Sequence, residues 1–466
     1  MSATARLTVV GIGADGWPGL GEAARAAIAA APLVVGSARQ LDLLPPDATA
    51  PGATRLPWPS PLEPLLDALA AGEHGDATIL ASGDPMLHGI GASLARRGVA
   101  TPGDARSLFP LRGGRTTGHP RATLHAIPHT SAFALACARL GWAAAETELI
   151  STVAREASHV ARALQPGRRL VVYATGSDGA ALTSQVVAER GFGASRLVVL
   201  ERLGDPERER LHEATAASWG DREADPLHAI GIEVRLGPAA AAPTTPAAPA
   251  PPSSAPRPAA GVPLPPTTPG LPDHAYDHDG QLTKRHVRAV TVAALAPMPG
   301  ELLWDVGAGS GSIAIEWLRA TASLAAAPAR AIAFERDPDR AARIVRNARA
   351  LGVPDLRTVD GSAPAAFADP LVRHGAPDAI FVGGGVTVPG LLEGAWHALR
   401  PGGRIVVNAV TLESQARLLQ ARAEHGGTLT QIAISHADPV GGFTALRAAL
   451  PVVQWEARKP EGQTIP

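Results

Sequence analysis

Three alternate glycines between a buried strand and a helix are the residues whose types and spacing most strongly suggest chemistry. The segment from Asp305 to Glu316 reads Asp-Val-Gly-Ala-Gly-Ser-Gly-Ser-Ile-Ala-Ile-Glu. Gly307, Gly309 and Gly311 let the backbone turn tightly and approach a ligand closely. The pattern therefore predicts a loop that holds a nucleotide-type cofactor, although such glycine-rich turns also occur for packing alone.

An acidic residue at the end of the next apolar run narrows the choice of cofactor. Glu335 lies thirty positions after Asp305, where its carboxylate can accept hydrogen bonds from both hydroxyls of a ribose. The glycine spacing G-x-G-x-G differs from the dinucleotide pattern G-x-G-x-x-G. We therefore expect S-adenosylmethionine rather than NAD.

Two more strand ends carry residues of the same kind. They are Asp360-Gly-Ser-Ala-Pro364 and Asp378-Ala-Ile-Phe-Val-Gly-Gly384. Ligands of open α/β sheets bind beyond the carboxyl ends of the strands. Four successive strand ends therefore predict one cofactor site, with Trp304 and Trp317 in the core beside it.

The elements that must position these residues alternate between strand and helix. Predicted strands lie near 302–306, 331–335, 379–383 and 403–408, and predicted helices near 337–350 and 388–399. Such alternation indicates a parallel, doubly wound sheet. The last apolar runs, from Thr428 to Ser435 and from Phe443 to Gln454, predict an antiparallel hairpin that closes it.

The same alternation precedes this region but with different loops. Strands at Leu7–Val10, Leu33–Val35 and Ala77–Ala81 alternate with helices, and the segment from Pro128 to Phe133 opens a further helix through Leu140-Gly-Trp142. Gly11-Ile-Gly13 follows the first strand and Ser82-Gly-Asp-Pro85 the third. The sequence thus predicts two different α/β folds joined in one chain, not a duplication.

A proline-rich segment separates the two folds. Residues 238–270 hold 12 of the 44 prolines and a single charge, Arg257. At about 3.1 Å per residue in polyproline II, the segment could span on the order of 100 Å as a semi-rigid spacer; a ligand for another protein's groove is the alternative. We predict domains at 1–237 and 271–466 with a linker at 238–270.

Composition excludes several classes of protein. The net charge of the 466 residues is −1, so electrostatics indicates no nucleic-acid partner. No apolar run reaches the roughly 18 residues that span a bilayer, and no signal peptide precedes the first strand. We expect a cytoplasmic protein without a membrane partner, a disulfide or a metal; Cys137 is the single cysteine, and His274 and His278 lie in a predicted loop.

The order of these motifs resembles the precorrin-6Y C5,15-methyltransferase (decarboxylating) family of cobalamin biosynthesis. The motifs are Val10–Leu20, Ser82–Pro85, Ala136–Trp142, Asp277–Lys284 and Asp305–Gly311, and the resemblance covers nearly all of the chain except the linker. It implies an N-terminal tetrapyrrole methylase fold of two α/β subdomains and a C-terminal class I methyltransferase. It also implies that the N-terminal half methylates carbon 5, that the C-terminal half methylates carbon 15 and decarboxylates an acetate side chain, and that the chain forms homo-oligomers.

The resemblance also assigns cofactor positions for S-adenosylmethionine. In the C-terminal half they are Thr283, Gly307, Ala308, Gly309, Ser310, Gly311, Glu335 and Ala363, to which the strand-end pattern adds Asp305 and Gly361; in the N-terminal half they are Gly11, Gly13, Gly83, Asp84 and Pro85. Three features depart from the family. Leu87 and His88 replace a phenylalanine and a tyrosine, Ser151-Thr-Val-Ala-Arg155 replaces Ser-Leu-His-Gly-Arg, and residues 101–122 form an inserted loop.

A tetrapyrrole substrate is a polycarboxylate, so basic side chains should bind it. We predict Lys284, Arg285, Arg288 and His88 as substrate-binding residues, and Lys284 and Asp84 as catalytic. Lys284 is one of only two lysines among 42 basic residues. Arg285 and Arg288 equally fit a solvated basic helix end, and His88 and His129 fit plain hydrogen-bonding roles.

Methyl transfer requires alignment of donor and acceptor rather than a catalytic dyad, and in decarboxylation the conjugated macrocycle is itself the electron sink.

Two alternative functions stay open. The C-terminal half could methylate another acceptor such as RNA or protein, or the N-terminal half could bind tetrapyrrole without chemistry.

Overall fold

The computed structural model of the chain describes residues 4–87, 89–101, 121–236, 268–321, 329–372 and 375–461. His88, most of the inserted loop at 101–122 and most of the linker lie outside these ranges.

The first subdomain is a five-stranded parallel sheet. Its strands are β1 (Ala5–Ile12), β2 (Leu33–Gly36), β3 (Thr54–Pro57), β4 (Ala77–Ser82) and β5 (Ala122–Ile127), and its helices are α1 (Gly16–Gly19), α2 (Glu22–Ala29), α3 (Ala38–Asp42), α4 (Glu63–Ala70) and α5 (Ile90–Arg96). The strand order is β3-β2-β4-β1-β5, all parallel. Because β1 lies between β4 and β5, the carboxyl ends of these three strands are adjacent.

The second subdomain is a mixed sheet. Helix α6 (Ala132–Leu140) leads into it, and it contains β6 (Thr147–Ser151), β7 (Arg169–Tyr173), α7 (Gly179–Val187), β8 (Arg196–Glu201), β9 (Arg210–Thr215), α8 (Ala216–Trp219) and β10 (His228–Glu233). The order is β6-β7-β10-β8-β9, and only β6 and β7 run parallel. The Ser131 hydroxyl accepts a hydrogen bond from Ala134 N at 3.1 Å and caps the N-terminus of α6, which begins within the predicted opening segment 128–133.

The C-terminal half is a seven-stranded sheet with an attached ribbon. Its elements are α9 (Arg285–Leu295), β11 (Leu302–Val306), α10 (Ser312–Thr321), β12 (Arg330–Glu335), α11 (Pro338–Ala350), β13 (Arg357–Asp360), β14 (Ala379–Val382), α12 (Leu391–Ala398), β15 (Arg404–Ala409), α13 (Leu412–His425), β16 (Thr428–Ile432), β17 (Ser435–Val440), β18 (Phe443–Ala448) and β19 (Val452–Arg458). The order β13-β12-β11-β14-β15 is parallel, and β19 and β16 follow antiparallel. The predicted doubly wound sheet is confirmed.

The predicted closing hairpin is only partly correct. The run from Phe443 to Gln454 is two strands: β18 pairs with β17 in a separate ribbon, whereas β19 pairs with β15 and β16. Pro451 lies between β18 and β19, and proline has no N–H to continue a ladder. We call the β17–β18 ribbon the arm.

Large side chains fill the core as predicted. Trp304 and Trp317 are both buried.

Lys459, the second lysine, donates from Nζ to the carbonyls of Trp396, His397 and Leu399, and so caps the C-terminal end of α12. Its role is therefore structural.

The two halves touch each other directly. Arg349, in α11, forms an ion pair with Glu156 at 3.0 Å, and Arg190 donates to the carbonyl of Ala350. One cluster of buried apolar side chains includes Phe192 from the N-terminal half and Leu351 from the C-terminal half. The end of α11 therefore forms part of the contact between the halves.

Candidate functional site

The glycine loop after β11 has a backbone that only glycine adopts readily. The φ angles are 71° at Gly307, 61° at Gly309 and 75° at Gly311. A Cβ on Gly307 would lie 3.0 Å from Gly384 N, just after β14. The loop therefore lies against the end of β14, where the strand order reverses and where open sheets bind ligands.

A cavity of about 860 Å³ opens beside this loop. Six residues predicted for the cofactor line it from the strand ends: Gly307, Ala308, Gly309, Glu335, Gly361 and Ala363. Thr283 and Lys284 line it from the segment that leads into α9. The volume lies within the roughly 300–1,000 Å³ of small-molecule sites.

Three other predicted cofactor residues shape the loop from behind instead of lining the cavity. The buried carboxylate of Asp305 accepts a hydrogen bond from Ala314 N at 3.0 Å. The carbonyl of Ser310 accepts one from Asn347 Nδ2 at 3.0 Å, and a Cβ on Gly311 would lie 2.8 Å from Ile344 Cγ2. These contacts show that the three residues position the loop, and their assignment to the cofactor site stays a prediction.

Burial governs the ionisation of Asp305. Desolvation raises the pKa of its carboxyl to about 7, although the hydrogen bond from Ala314 N lowers it. The negative charge of Glu335 raises this pKa further. The carboxyl below the glycine loop therefore titrates near neutral pH.

Glu335 connects the loop to the end of β12. One carboxylate oxygen accepts from Gly309 N at 2.8 Å, and the other accepts from Arg336 N at 3.0 Å and Asp337 N at 3.1 Å. The side chain is mostly buried and lines the cavity. Its predicted contact with a ribose stays a prediction.

The segment Asp277–Lys284 is fixed over the loop by arginines of α11. Asp279 pairs with Arg340 at 2.8 Å and with Arg343 at 3.2 Å. Burial raises the pKa of Asp279, but hydrogen bonds from Gln281 N and from both guanidiniums outweigh it and lower this pKa to about 2. The carboxylate is therefore charged at neutral pH, and α11 holds one wall of the cavity.

Asn347 is a site residue that the sequence analysis missed. Its Nδ2 donates to the carbonyls of Asp277 at 2.9 Å and Ser310 at 3.0 Å, and its Oδ1 accepts from Asp277 N at 2.9 Å. It thus joins the segment Asp277–Lys284, which we call the covering segment, to the glycine loop. The available signal was an amide three residues after Ile344, on the buried face of α11.

The predicted basic cluster divides along the faces of α9. Lys284 is exposed at the N-cap of α9 and lines the cavity. Arg285 is exposed but lies outside the cavity, and its Nε donates to the carbonyl of Gly270 at 2.9 Å. For Arg285 the predicted substrate contact is therefore not supported by its position.

The predicted substrate contact of Arg288 is wrong. One turn after Lys284, its guanidinium is fully buried, pairs with Glu316 at 2.5 Å and Asp273 at 3.2 Å, and lies 4.8 Å from the centre of the Tyr276 ring. It also donates to the carbonyls of Leu271 and Thr283. Arg288 therefore fixes the chain before α9 to the domain.

The remaining wall of the cavity comes from elements that the sequence analysis did not connect with it. Ile432 lines it at the end of β16, Ile434 lines it just after that strand, and Leu450 lines it beside the arm. His286 in α9 and His436 in β17 also line it, with ring centroids 5.7 Å apart. The cavity thus has a wall of strand ends and a wall that combines apolar side chains with imidazoles.

The N-terminal half brings its predicted glycine motifs together at three adjacent strand ends. A Cβ on Gly11 would lie 2.6 Å from His129 N, and one on Gly83 (φ 61°) would lie 3.0 Å from Ser131 Cα. His129 Nε2 lies 3.4 Å from Asp15 Oδ2 next to Gly13. The ends of β1, β4 and β5 therefore approach as closely as glycine allows.

Asp84 and Pro85 form the turn after β4. Asp84 Oδ1 accepts from Met86 N at 2.8 Å, and the carbonyl of Pro85 accepts from Ala92 N. Burial raises the pKa of Tyr173, in β7, to about 12, and the charge of Asp84 adds to the increase. Asp84 is therefore close enough to the second subdomain to act on its charges.

Two arginines near these strand ends were also missed. Arg39 Nη2 donates to the Ser82 hydroxyl at 3.0 Å, and burial, followed by the charge of Arg202, lowers the pKa of Arg39. Arg202 follows β8 in the second subdomain at φ 49° and pairs with Asp225 at 2.6 Å. No sequence pattern links them, because they approach only when the two subdomains are assembled.

Two negative observations apply to the described residues. Within these ranges no helix has both the length and the apolarity to span a membrane. Across the same ranges, no three histidine, cysteine, aspartate or glutamate side chains are grouped as metal ligands would be.

Known proteins match both halves of the chain. A family model described as a precorrin methyltransferase domain matches residues 274–459. A probable cobalt-precorrin-6B C(15)-methyltransferase (decarboxylating) of Saccharolobus solfataricus is 28% identical over 199 residues, which are 41% of this chain and 96% of that protein. This relative is therefore about the length of one half.

Two relatives extend over the whole chain, and both are named precorrin-6Y C(5,15)-methyltransferase [decarboxylating]. The protein from Mycobacterium tuberculosis (strain CDC 1551 / Oshkosh) is 40% identical over 97% of this chain and 100% of its own length. The protein from Sinorhizobium sp is 40% identical over 97% of this chain and 96% of its own length. The chain therefore belongs to the precorrin-6Y C5,15-methyltransferase (decarboxylating) family.

Proposed function

We propose that this protein methylates precorrin-6Y, or its reduced form, at carbons 5 and 15 with S-adenosylmethionine and decarboxylates the ring C acetate side chain. The observation that carries the proposal is the cavity of about 860 Å³ beside the positive-φ glycine loop. It lies in the half that matches the precorrin methyltransferase model. Similarity to full-length relatives with this name supports the same conclusion.

The residues of the C-terminal cavity suit S-adenosylmethionine. Gly307 and Gly309 have no side chain to fill the space beside the loop. The carboxylate of Glu335 lines the same cavity. We infer that Gly307, Ala308, Gly309, Glu335, Gly361 and Ala363 hold the cofactor, with Thr283 on the opposite segment. When bound, the cofactor supplies an electrophilic methyl group. The chain's task is to align the acceptor carbon with it and to exclude water.

The cavity wall that combines apolar side chains with imidazoles, which we call the acceptor wall, suits a tetrapyrrole with several carboxylates. Ile432, Ile434 and Leu450 offer apolar surface for a macrocycle, and Lys284 offers a cation where the cavity meets α9. An ammonium group attracts a carboxylate without a fixed geometry. We infer that Lys284 binds a substrate carboxylate and so orients the macrocycle.

The two halves divide the reactions. We assign methylation at carbon 15 and decarboxylation to the C-terminal half, since a relative of about that length is named for these two reactions. Methylation at carbon 5 is then assigned to the cleft of the N-terminal half. There Gly11, Gly13, Gly83, Asp84 and Pro85 would hold a second cofactor, and Arg39 and Arg202 would bind substrate carboxylates.

Three further proposals concern the state of the protein. Phe443 (84% exposed) and Leu446 (76%) favour a homo-oligomer, because large exposed apolar side chains in one region indicate an interaction site. The net charge of −1 supports the absence of a nucleic-acid partner. The unpaired, buried Cys137 is consistent with a cytoplasmic location. Light scattering of the purified protein tests the first of these proposals.

The direct test of function is mass spectrometry after incubation of the protein with S-adenosylmethionine and reduced precorrin-6Y. We expect a product that has gained two methyl groups and lost one carbon dioxide. Calorimetric titration with S-adenosylmethionine should show two binding sites per chain. Cofactor binding with an unchanged tetrapyrrole would retain the methyltransferase assignment and refute the substrate.

A further inference from the structure

Two histidines from distant parts of the C-terminal half face each other in the wall of the cavity. His286 is the second residue of α9, and His436 is the second residue of β17 in the arm. Their ring centroids are 5.7 Å apart and their planes are tilted by 42°. Both line the cavity and both are exposed. The fold therefore brings two imidazoles to the acceptor wall.

Two of the other charged side chains that line this cavity are already engaged. Arg340 is paired with Asp279, and Glu335 accepts three backbone hydrogen bonds. Lys284, at the N-cap of α9, and Arg336, after β12, are the remaining charged groups. Among the described residues, neither His286 nor His436 has a hydrogen-bond partner, so both ring edges are available to a ligand.

Decarboxylation of the acetate side chain sets two chemical requirements. The bond between the methylene carbon and the carboxylate carbon breaks, carbon dioxide leaves, and the electron pair enters the conjugated macrocycle. The methylene carbon then takes up one proton and becomes a methyl group. The net change is R–CH2–COO⁻ plus H⁺ to R–CH3 plus CO2, with no oxidant or reductant. The site must therefore orient the carboxylate and deliver one proton.

Imidazoles meet both requirements better than arginines do. A bidentate guanidinium would strongly stabilise the carboxylate before it reacts, which would raise the barrier to losing it. An imidazole can donate one hydrogen bond to the carboxylate and can carry a proton near neutral pH. It can then act as a general acid, a role that contributes about 10²–10⁴-fold in rate.

We propose that His286 and His436 together bind the acetate carboxylate that is lost and that this pair returns the proton to the new methyl carbon. The inference rests on the proposed function of the C-terminal half. The arm is then part of the active site, since it carries one of the two imidazoles.

The test uses full-length variants His286→Gln, His436→Gln and the double variant, with S-adenosylmethionine and reduced precorrin-6Y. Glutamine keeps a hydrogen-bonding side chain but cannot supply the proton. We expect the rate of decarboxylation to fall by about 10²-fold or more in the double variant, while one methyl is still added at carbon 5. A further full-length variant, His436→Gly, should also decarboxylate more slowly than the wild type, and free imidazole should restore its rate.

Arg447→Ala is the matched control for the arm. Arg447 lies directly opposite His436 in the ribbon, pairs with Asp438 at 3.5 Å and lies outside the cavity. We expect this variant to decarboxylate at the wild-type rate. Wild-type decarboxylation in the double histidine variant would overturn the inference, as would a loss that Arg447→Ala shares and imidazole does not rescue. A wild-type protein that leaves the tetrapyrrole unchanged would instead refute the proposed function.

Discussion

Gly311 shows why a single side chain would disturb the loop below the proposed cofactor site. Its φ is 75°, and an added Cβ would lie 2.8 Å from Ile344 Cγ2. Alanine there should cost about 1–2 kcal/mol for the left-handed conformation and about 1–3 kcal/mol for overpacking. We expect Gly311→Ala to lower the free energy of unfolding of the C-terminal half by about 2–5 kcal/mol, measured by urea denaturation.

Gly384→Ala is the control for this prediction. An added Cβ at Gly384 would meet no atom within 4 Å, and its φ is not positive. The free energy of unfolding of this variant should stay within about 0.5 kcal/mol of the wild-type value, as for other unstrained changes. Equal effects of the two substitutions would show that backbone conformation does not determine the loop.

Asp305 should make stability depend on pH. The pKa of its carboxyl is raised from 3.8 to about 7 in the folded protein, so folding favours the protonated form. This contribution is complete below pH 3.8 and is lost as the pH rises towards about 7. The amide introduced by Asp305→Asn does not ionise, so the free energy of unfolding of that variant should lack this decline. Parallel pH profiles for the two proteins would contradict the assignment.

Lys284 should bind a substrate carboxylate. A hydrogen bond to a charged group contributes about 1.5–3 kcal/mol, so Lys284→Gln should raise KM for the tetrapyrrole by roughly 10–100-fold. Arg285→Gln is the matched control, because Arg285 is adjacent but lies outside the cavity. Steady-state kinetics that show similar effects for both would indicate a general electrostatic role instead.

At this scale the sequence predicts glycines and strand-end acids well but assigns arginines poorly. Gly307 and Glu335 lie where their spacing predicts, because strand ends of a parallel sheet converge. Lys284 and Arg288 are close in sequence, yet one reaches the cavity and the other is buried against Glu316. Which turn of a helix faces the core depends on its packing partners, which the local sequence does not contain.

Helix α11 is the element that organises the cavity. Its first turns bind the covering segment through Arg340 and Arg343, its middle contacts the glycine loop through Ile344 and Asn347, and its end meets the N-terminal half. One helix therefore positions the loop, its cover and the neighbouring domain. Sequence periodicity predicted this helix but not its three partners.

Asn347 offers a test of that role. Asn347→Ala removes three hydrogen bonds that join Asp277 and Ser310, and each buried polar group left without a partner costs about 1–3 kcal/mol. We expect S-adenosylmethionine to bind the C-terminal site at least about 10-fold more weakly in calorimetric titration. The exposed neighbour Arg346 is the control, and Arg346→Ala should bind nearly normally because surface ion pairs contribute little.

The separate pairing of the two strands in the arm was not predicted from the sequence. Alternating apolar residues predicted strands after Thr428, and β16 and β19 do pair. The break at Pro451 and the separate β17–β18 pairing were not expected, because strand register depends on contacts across the sheet. His436 consequently could not be placed at the cavity from sequence.

The whole molecule combines two folds whose proposed sites lie at strand ends. The sequence predicted both α/β folds, since alternation of strands and helices is a strong local signal. It did not predict the contact made by Arg349 with Glu156. That contact joins residues far apart in the chain and depends on how the completed domains pack.

The central claim is that each half performs its own methylation and that only the C-terminal half decarboxylates. Mass spectrometry of the tetrapyrrole product from full-length Asp84→Ala and Glu335→Ala proteins tests it most directly. We predict one added methyl with loss of carbon dioxide for Asp84→Ala, and one added methyl, at carbon 5, for Glu335→Ala. Two added methyl groups in either variant, or retained carbon dioxide in Asp84→Ala, would contradict the account.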